Sequence, residues 1–378
     1  MQPTRVLVAM SGGVDSSVAA ARLVAEGHDV VGVTLHLWDY PDEDAVRGRC
    51  CAPEDQHDAR RVADHLGIPH YTFDRRELFR RHVIDPFVDA YLEGRTPSPC
   101  VSCNRSVKIR ELIPLADRLG ATHVATGHYA RVVPDAAGRA RLHRGKDRGK
   151  DQSYFLHMLQ AEELARVVLP LGDATKKEVR DEAIARRLPG ATKGESQELC
   201  FVSSGRYDDF VATRAESRLR PGPIVDAEGR LVGGHAGVHA FTIGQRKGLG
   251  VALGKPAFVV GIDATTATVR LGDEADLHAA AARLVDPCFS DDVAFPLEAD
   301  VRVRARHEGE RATLSITRDA ETGAEILMAR FAEPVRAVSP GQVAVAYAGE
   351  RVLGGATIVE AYGAARRPRI AAHEGVIA

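Results

Sequence analysis

Seven residues near the start of the chain, Ser11-Gly12-Gly13-Val14-Asp15-Ser16-Ser17, lie between an apolar stretch, Arg5 to Met10, and a helically patterned stretch, Ser16 to Gly27. Two glycines at a strand–helix junction let backbone amides approach an anion closely, and the helix that follows points its positive end at the same place. A phosphate loop of this kind sits at the carboxyl end of a buried strand, so the segment commits the first half of the chain to a strand–loop–helix architecture.

The spacing that follows agrees. Val30 to Leu37 reads as a second strand, Pro53 to Gly67 as an amphipathic helix and His70 to Phe73 as a third strand. Glu77 to Glu93 and Cys103 to Leu119 read as two further helices, and Thr122 to Thr126 as a strand. This alternation predicts an α/β fold with a doubly wound, mainly parallel sheet covered on both faces. After about residue 190 glycines become frequent, which predicts a small loop-rich central domain. From about Glu298 alternation with period two dominates (VRVRAR, ATLSIT, AEILMARF, VAVAY), which predicts a small antiparallel β domain, a barrel or a sandwich, with a C-terminal β-barrel the expectation. The expected boundaries are 1–190, 191–277 for a central tRNA-binding or linker domain, 278–363 for the barrel, and 364–378 for a polar, frayed tail.

The chain has 378 residues, 50 Lys and Arg against 52 Asp and Glu, and six cysteines. A formal charge of −2 excludes a protein that coats nucleic acid through bulk charge, so basic contacts must be local patches. The apolar opening stretch is too short for a signal-peptide core, and no segment approaches the roughly 20 apolar residues of a membrane span. The expected location is the cytosol, without membrane attachment. Six cysteines in a reducing compartment are too few for a disulfide scaffold and point to packing, metal binding or reactive thiols.

No Gly-Lys-Ser/Thr ending follows the glycines, so the loop is not one that delivers a γ-phosphate. SGGVDSS resembles the pyrophosphate loop of the ATP pyrophosphatases, which split ATP between the α and β phosphates and pass AMP to a substrate oxygen. The resemblance assigns ATP binding to Ala9, Met10, Ser11, Gly12, Gly13, Val14, Asp15 and Ser16. The hydroxyls of Ser11, Ser16 and Ser17 are candidate donors to the anion, and Asp15 is a candidate ligand for Mg2+. Leu35, near the end of the second strand, fits an apolar wall for adenine, though ordinary core packing reads equally well. Gly127 follows the strand Thr122 to Thr126, where a missing side chain permits close backbone approach to the nucleotide.

Thr96-Pro97-Ser98-Pro99-Cys100-Val101-Ser102-Cys103-Asn104 places a cysteine at the expected start of a helix, where amide dipoles favour thiolate. A second cysteine, Cys200, lies in Glu195-Ser196-Gln197-Glu198-Leu199-Cys200-Phe201. Together with Gly127-His128-Tyr129-Ala130, Lys150-Asp151-Gln152-Ser153-Tyr154, the run Phe241 to Gly250 (FTIGQRKGLG) and Ser339-Pro340-Gly341-Gln342, these segments resemble the tRNA-specific 2-thiouridylases across nearly the whole chain.

That resemblance implies ATP-dependent thiolation at C2 of the wobble uridine in the tRNAs for Lys, Glu and Gln. It implies that Cys200 carries the sulfur as a persulfide supplied by a donor such as a cysteine desulfurase or a sulfur-relay protein. Cys103 is then the partner nucleophile, and a Cys103–Cys200 disulfide would remain after transfer, to be reduced between turnovers. Cys100 departs from a common family form, which carries aspartate there. A [4Fe–4S] cluster on Cys100, Cys103 and Cys200 is therefore the alternative route for sulfur, and another ligase with the same loop is the alternative enzyme. Cys50, Cys51 and Cys288 read as structural.

For tRNA, the resemblance implicates His128, Lys150, Asp151 and Gln152, the last three following a basic run from Arg141. Alternation over Val301 to Arg306 predicts Arg302, Arg304 and Arg306 on one face of a strand, a stripe able to grip phosphates with the help of Gln342.

Overall fold

The computed structural model describes residues 4–39, 53–194, 199–202, 206–252, 254–318 and 323–363. It divides into two compact units, one formed by Met1–Pro86, Pro99–Phe210 and Glu350–Val352, the other by Phe87–Ser98, Val211–Gly349 and Leu353–Ala378.

In the first unit the opening run is a central strand, β1 (Arg5–Ala9), whose Val6, Leu7 and Val8 are wholly buried. Burying each such side chain contributes about 1.5–3 kcal/mol. The chain continues through α1 (Val14–Ala25), β2 (Asp29–His36), α2 (Pro53–Leu66), β3 (His70–Asp74) and α3 (Arg76–Phe79). After a π turn, Arg80–Ile84, come α4 (Asp85–Leu92) and α5 (Pro99–Cys103); a second π turn, Asn104–Lys108, leads into α6 (Ile109–Arg118) and β4 (His123–Ala125). A hairpin of β5 (Ala130–Pro134) and β6 (Ala140–Arg144) is followed by α7 (Ala161–Leu164), β7 (Val167–Val168), α8 (Lys176–Ala185) and α9 (Tyr207–Ala215).

The sheet has the order β3-β2-β1-β4-β7, every pair parallel. The α/β expectation is met. Small residues on α1 make the doubly covered sheet possible: Ala20 and Leu23 share a core with Val6, Val8 and the α2 residues Ala59, Val62 and Ala63. Val18, Ala19 and Ala21 turn the other way, onto Val179 and Ala183 of α8. Because successive connections leave β1 in opposite directions, toward β2 and toward β4, the crevice beyond their carboxyl ends is where an open α/β sheet binds ligands. The phosphate loop follows β1 there, and Gly127 follows β4.

Three expectations need correction. The two long helices each contain a π turn, so neither keeps a single 3.6-residue period, and the second begins at Pro99 rather than at Cys103. The basic run from Arg141 is partly strand β6: Arg141 is buried and its Nε donates to Asp135 at 2.9 Å. The arginine stripe does not form.

In the second unit a four-stranded sheet has the order β10 (Phe258–Asp263), β11 (Thr268–Gly272), β8 (Gly222–Val225), β9 (Leu231–His235). It packs around Ile224, Val259, Val269 and Leu271. The remaining strands are β12 (His278–Phe289), β13 (Leu297–Arg302), β14 (Glu310–Arg318), β15 (Glu325–Arg336), β16 (Val343–Ala348) and β17 (Arg351–Gly363). They run in the order β12-β15-β14-β13-β16-β17, and β12 pairs with β17 to close an antiparallel barrel. Period-two alternation places Val301, Leu314, Ala329 and Ala346 inside it. Strand β13 ends at Arg302, and the chain turns at Arg304–His307 with His307 N donating to Arg304 O at 3.0 Å. Alternation therefore stops before it can align three guanidinium groups. Arg302 is buried with its guanidinium 5.7 Å from the Tyr347 ring centre, Arg304 Nη1 donates to Arg336 O at 2.9 Å, and Arg306 is exposed.

Candidate functional site

The phosphate loop is built from its own short side chains. Gly13 caps α1, and its carbonyl accepts from Ser17 N at 3.2 Å, Ser17 Oγ at 2.9 Å and Ser16 Oγ at 3.0 Å. Ser16 Oγ in turn accepts from Ser11 N at 3.1 Å. Ser16 and Ser17 are both buried with their hydroxyls donating to the Gly13 carbonyl, so either must turn from it to reach an anion; Ser16 Oγ also lies 3.3 Å from the hydroxyl of the partly buried Ser11. Met10 is buried between strands, its N donating to Val33 O and its O accepting from Thr34 Oγ1. Ala9 ends β1, and Val14 opens α1 with its side chain in the α8-facing core.

Two glycines explain themselves by close approach to protein. Gly12 has φ +71°, and a Cβ there would collide with the Asp55 carbonyl of α2. A Cβ at Gly127 would come within 2.8 Å of Asp15 C and Ser16 N, so the missing side chain seats β4 against the phosphate loop itself. Leu35 is buried in β2 opposite Phe73, as ordinary core packing requires.

Asp15 stands in the first turn of α1, and its Oδ1 accepts from Tyr129 OH at 2.7 Å. Lys176 Nζ donates to both carboxylate oxygens at 2.7 and 2.8 Å. Tyr129 is held by the Lys150–Tyr154 segment: Gln152 Oε1 accepts from Tyr129 N at 3.0 Å, and Gln152 N donates to Tyr129 O at 2.9 Å. Asp151 accepts from Gly145 N, Ser153 N and Ser153 Oγ, each at 3.1 Å, and Lys150 N closes a turn onto Asp147 O. Asp151 and Gln152 thus shape the loop that carries Tyr129. His128 Nδ1 lies 2.7 Å from Thr126 Oγ1; loss of solvent, with Lys108 adding to it, pushes the imidazole down to about 3, so it is neutral near pH 7.

Cys103 is buried at the end of α5, immediately before the π turn Asn104–Lys108. π turns inside helices are common at functional sites. The first helical turn belongs to Pro99 and the exposed Cys100, so the positive end of the helix dipole acts on Cys100 rather than on Cys103. Asn104, next to Cys103, is buried; its Nδ2 donates to Phe155 O at 3.3 Å while its Oδ1 has no partner.

Of the Cys200 motif, residues 199–202 are described. Cys200 is partly exposed, and Phe201 beside it is buried in an aromatic cluster, 5.9 Å from the ring centre of Phe79 and 5.2 Å from that of Phe210. Trp38 joins through Phe210 at 6.1 Å. The helix carrying Cys103 packs on the π turn Arg80–Ile84, directly after Phe79. Both cysteine-bearing segments therefore rest on one support, residues 79–84.

No disulfide joins them. None of Cys100, Cys103, Cys200 and Cys288 is in a disulfide, so the implied Cys103–Cys200 bridge is not a feature of this structure. Among the described residues no three His, Cys, Asp or Glu side chains form a group able to hold a metal, so Cys100, Cys103 and Cys200 do not make a cluster site here. Cys50 and Cys51 lie outside the described residues; Cys288 is half-buried in β12. Gln342, in the second unit, donates from Nε2 to Thr96 O and Pro97 O at 3.0 and 3.2 Å, and Gly341 (φ +92°) leaves room for Thr96 beneath it. The SPGQ turn is a clamp on that loop.

Family models match nearly all of the described chain: a tRNA methyl transferase HUP domain at residues 4–204, a tRNA methyl transferase PRC-barrel domain at 208–273 and an aminomethyltransferase beta-barrel domain at 285–358. A tRNA-specific 2-thiouridylase from Sorangium cellulosum is 71% identical over 94% of this chain and 92% of its own length. One from Chloroflexus aurantiacus is 49% identical over 93% of this chain and 98% of its own. The chain belongs to the tRNA-specific 2-thiouridylase family. It is accordingly a sulfurtransferase acting on tRNA, from a family that uses ATP. Among the described residues no helix is long and apolar enough to cross a membrane.

Sequence reading missed Lys176 at the site and three residues that pack around it. Lys176 is announced only by its helix start, the capping box Thr175 to Glu178, which fixes it at the first helical position. Asp55 and Lys193, which form an ion pair, carry no local signal. Phe201 is marked in the sequence only by its place directly after Cys200.

Proposed function

We propose that the chain adenylates the C2 oxygen of the wobble uridine in the tRNAs for Lys, Glu and Gln and replaces that oxygen with sulfur. In the first step the uracil C2 oxygen attacks the α-phosphorus of ATP, pyrophosphate leaves and N3 loses its proton. The loop from Ala9 to Ser16 offers amides and the Ser11 and Ser16 hydroxyls to the phosphates. Asp15 is its carboxylate for Mg2+, which would screen phosphate charge. In the second step the outer sulfur of a Cys200 persulfide attacks C2 and AMP leaves. Cys103 then attacks Cys200 Sγ and breaks the S–S bond, so the outer sulfur stays on C2 with both electrons as the thiocarbonyl, and two external thiols reduce the oxidised cysteine pair back to thiols between turnovers. Cys103 is the partner nucleophile for sulfur release.

The observation that carries this reading is the shared support: the segments bearing Cys103 and Cys200 both lean on residues 79–84, in the same unit as the phosphate loop. A covalent relay needs two thiols brought to one place. His128, Lys150 and, on the second unit, Arg304 are proposed contacts for the tRNA; a splayed anticodon loop would present the uridine out of its stack. The sulfur donor is proposed to be a cysteine desulfurase or a sulfur-relay protein, and the location the cytosol.

The test is thiolation of unmodified tRNA-Lys by the full chain with ATP, Mg2+ and a persulfide donor, followed by nucleoside analysis. Cys103→Ser and Cys200→Ser are expected to lose 2-thiouridine more than 100-fold while still releasing tRNA-dependent pyrophosphate. Thiolation retained in either variant, or none with the unmodified chain, rejects the reading.

A further inference from the structure

The phosphate loop and the cysteine segment are linked by an ion pair that the mechanism above does not use. Asp55, in the first turn of α2, serves two purposes. Its carbonyl fills the space left by Gly12, so its main chain abuts the phosphate loop. Its side chain, almost fully buried, pairs with Lys193 Nζ, which also reaches Asp58 Oδ2 at 3.1 Å, one helical turn further along α2. Lys193 lies seven residues before Cys200. Burial alone would lower the lysine's pKa, but the two carboxylates outweigh that and hold it above the usual value, so the ammonium keeps its charge at neutral pH. On the other side of Cys200, Phe201 is wedged between Phe79 and Phe210. Lys193 is thus pinned to the helix that contacts the phosphate loop, and Phe201, beside Cys200, to the support shared with Cys103.

We propose that Lys193 is a positioning residue: through Asp55 it ties the Cys200 segment to the phosphate loop, so that sulfur arrives where the adenylate forms. This rests on Cys200 being the sulfur carrier. An adenylated uridine that meets no sulfur is open to water, which attacks C2, expels AMP and restores the original uridine, so ATP is spent without thiolation. Loss of the tie should uncouple the two half-reactions rather than abolish the first.

The measurement is the ratio of 2-thiouridine formed to pyrophosphate released, for the full chain with tRNA-Lys, ATP, Mg2+ and a persulfide donor. Lys193→Met is expected to keep its KM for ATP within about twofold and to lower the ratio at least tenfold. Lys193→Arg, which can still pair with both carboxylates, should restore most of it. Asp58→Asn, which leaves the Asp55 contact in place, should lower the ratio by a smaller factor and provides a second reading should the methionine variant fold poorly by circular dichroism. A ratio unchanged within twofold in Lys193→Met, or in Asp58→Asn where the former is unfolded, overturns the proposal. So does a parallel loss of pyrophosphate release and thiolation, which would make the lysine part of the nucleotide site. Cys200→Ser in the same assay tests the underlying reading separately: thiolation persisting there removes Cys200 as carrier whatever Lys193 does.

Discussion

Lys176 Nζ sits 2.7 and 2.8 Å from the two carboxylate oxygens of Asp15, although the residues are 161 positions apart. The lysine opens α8 and the aspartate opens α1, so the pair ties together two helix starts at the carboxyl end of the sheet. Only 15% of the lysine side chain is exposed, against 35% of the aspartate, which makes this more than a surface pair.

Lys176→Met leaves the Asp15 carboxylate without its cation. It is expected to reduce tRNA-dependent pyrophosphate release at least tenfold and to lower stability by about 1–3 kcal/mol, since a partly buried charge loses its partner. Pyrophosphate kinetics and urea unfolding on the same sample check both, and an unchanged rate would separate Lys176 from the nucleotide chemistry.

Tyr129→Phe isolates one hydrogen bond. The ring is buried and stays packed, while the 2.7 Å bond from its hydroxyl to Asp15 Oδ1 disappears. A bond to a charged group contributes about 1.5–3 kcal/mol, so adenylation should slow about 10- to 100-fold if Asp15 must be held in this rotamer. The amount of 2-thiouridine per pyrophosphate should not change, because sulfur delivery is untouched. A slower rate with a lower ratio would contradict the assignment.

The phosphate loop was legible because its glycines, aspartate and serines are contiguous and lie between two strongly patterned elements. Four of the five strands of the parallel sheet and the alternating strands of the barrel were legible for the same reason: burial on a sheet imposes a period that survives in the sequence. The position of Cys103 was not. A π turn adds a residue to the helical repeat, so the start at Pro99 is masked and the cysteine seems to begin the helix that it in fact continues. The arginine alternation at 302–306 was misleading because period two continues for a few residues into a turn that the hydrogen bond from His307 to Arg304 closes. Partnerships such as Asp15–Lys176 and Asp55–Lys193 are set by tertiary packing and leave no spacing to read.

Phe201→Ala tests how Cys200 is held. Phe201 is buried against Phe79 and Phe210, and removing a buried phenyl ring typically costs about 3–5 kcal/mol. Cys200, already partly exposed, should then react faster with iodoacetamide, by at least fivefold, while buried Cys103 does not. Mass spectrometry of the labelled peptides distinguishes them, and equal acceleration at both would mean general unfolding. Phe201→Leu should recover most of the stability and slow the labelling again.

The buried His157 makes stability depend on pH in one direction. Its Nδ1 lies 2.9 Å from the Tyr154 carbonyl, and burial, opposed by that carbonyl and aided by Arg105, pushes it down to about 4 from the ordinary 6.5. The folded chain therefore resists a proton that the unfolded chain accepts. Stability from this group is complete above pH 6.5, declines as the pH falls toward 4 and is level below that, with a slope of up to about 1.4 kcal/mol per pH unit. His128 acts in the same sense. Between pH 7 and 5 urea unfolding should show a loss of about 2 kcal/mol attributable to His157, and His157→Gln, which does not titrate in this range, should lose correspondingly less over the same interval. Equal losses in both proteins would mean that His157 is protonated in the folded state at pH 5, against the burial that places it there.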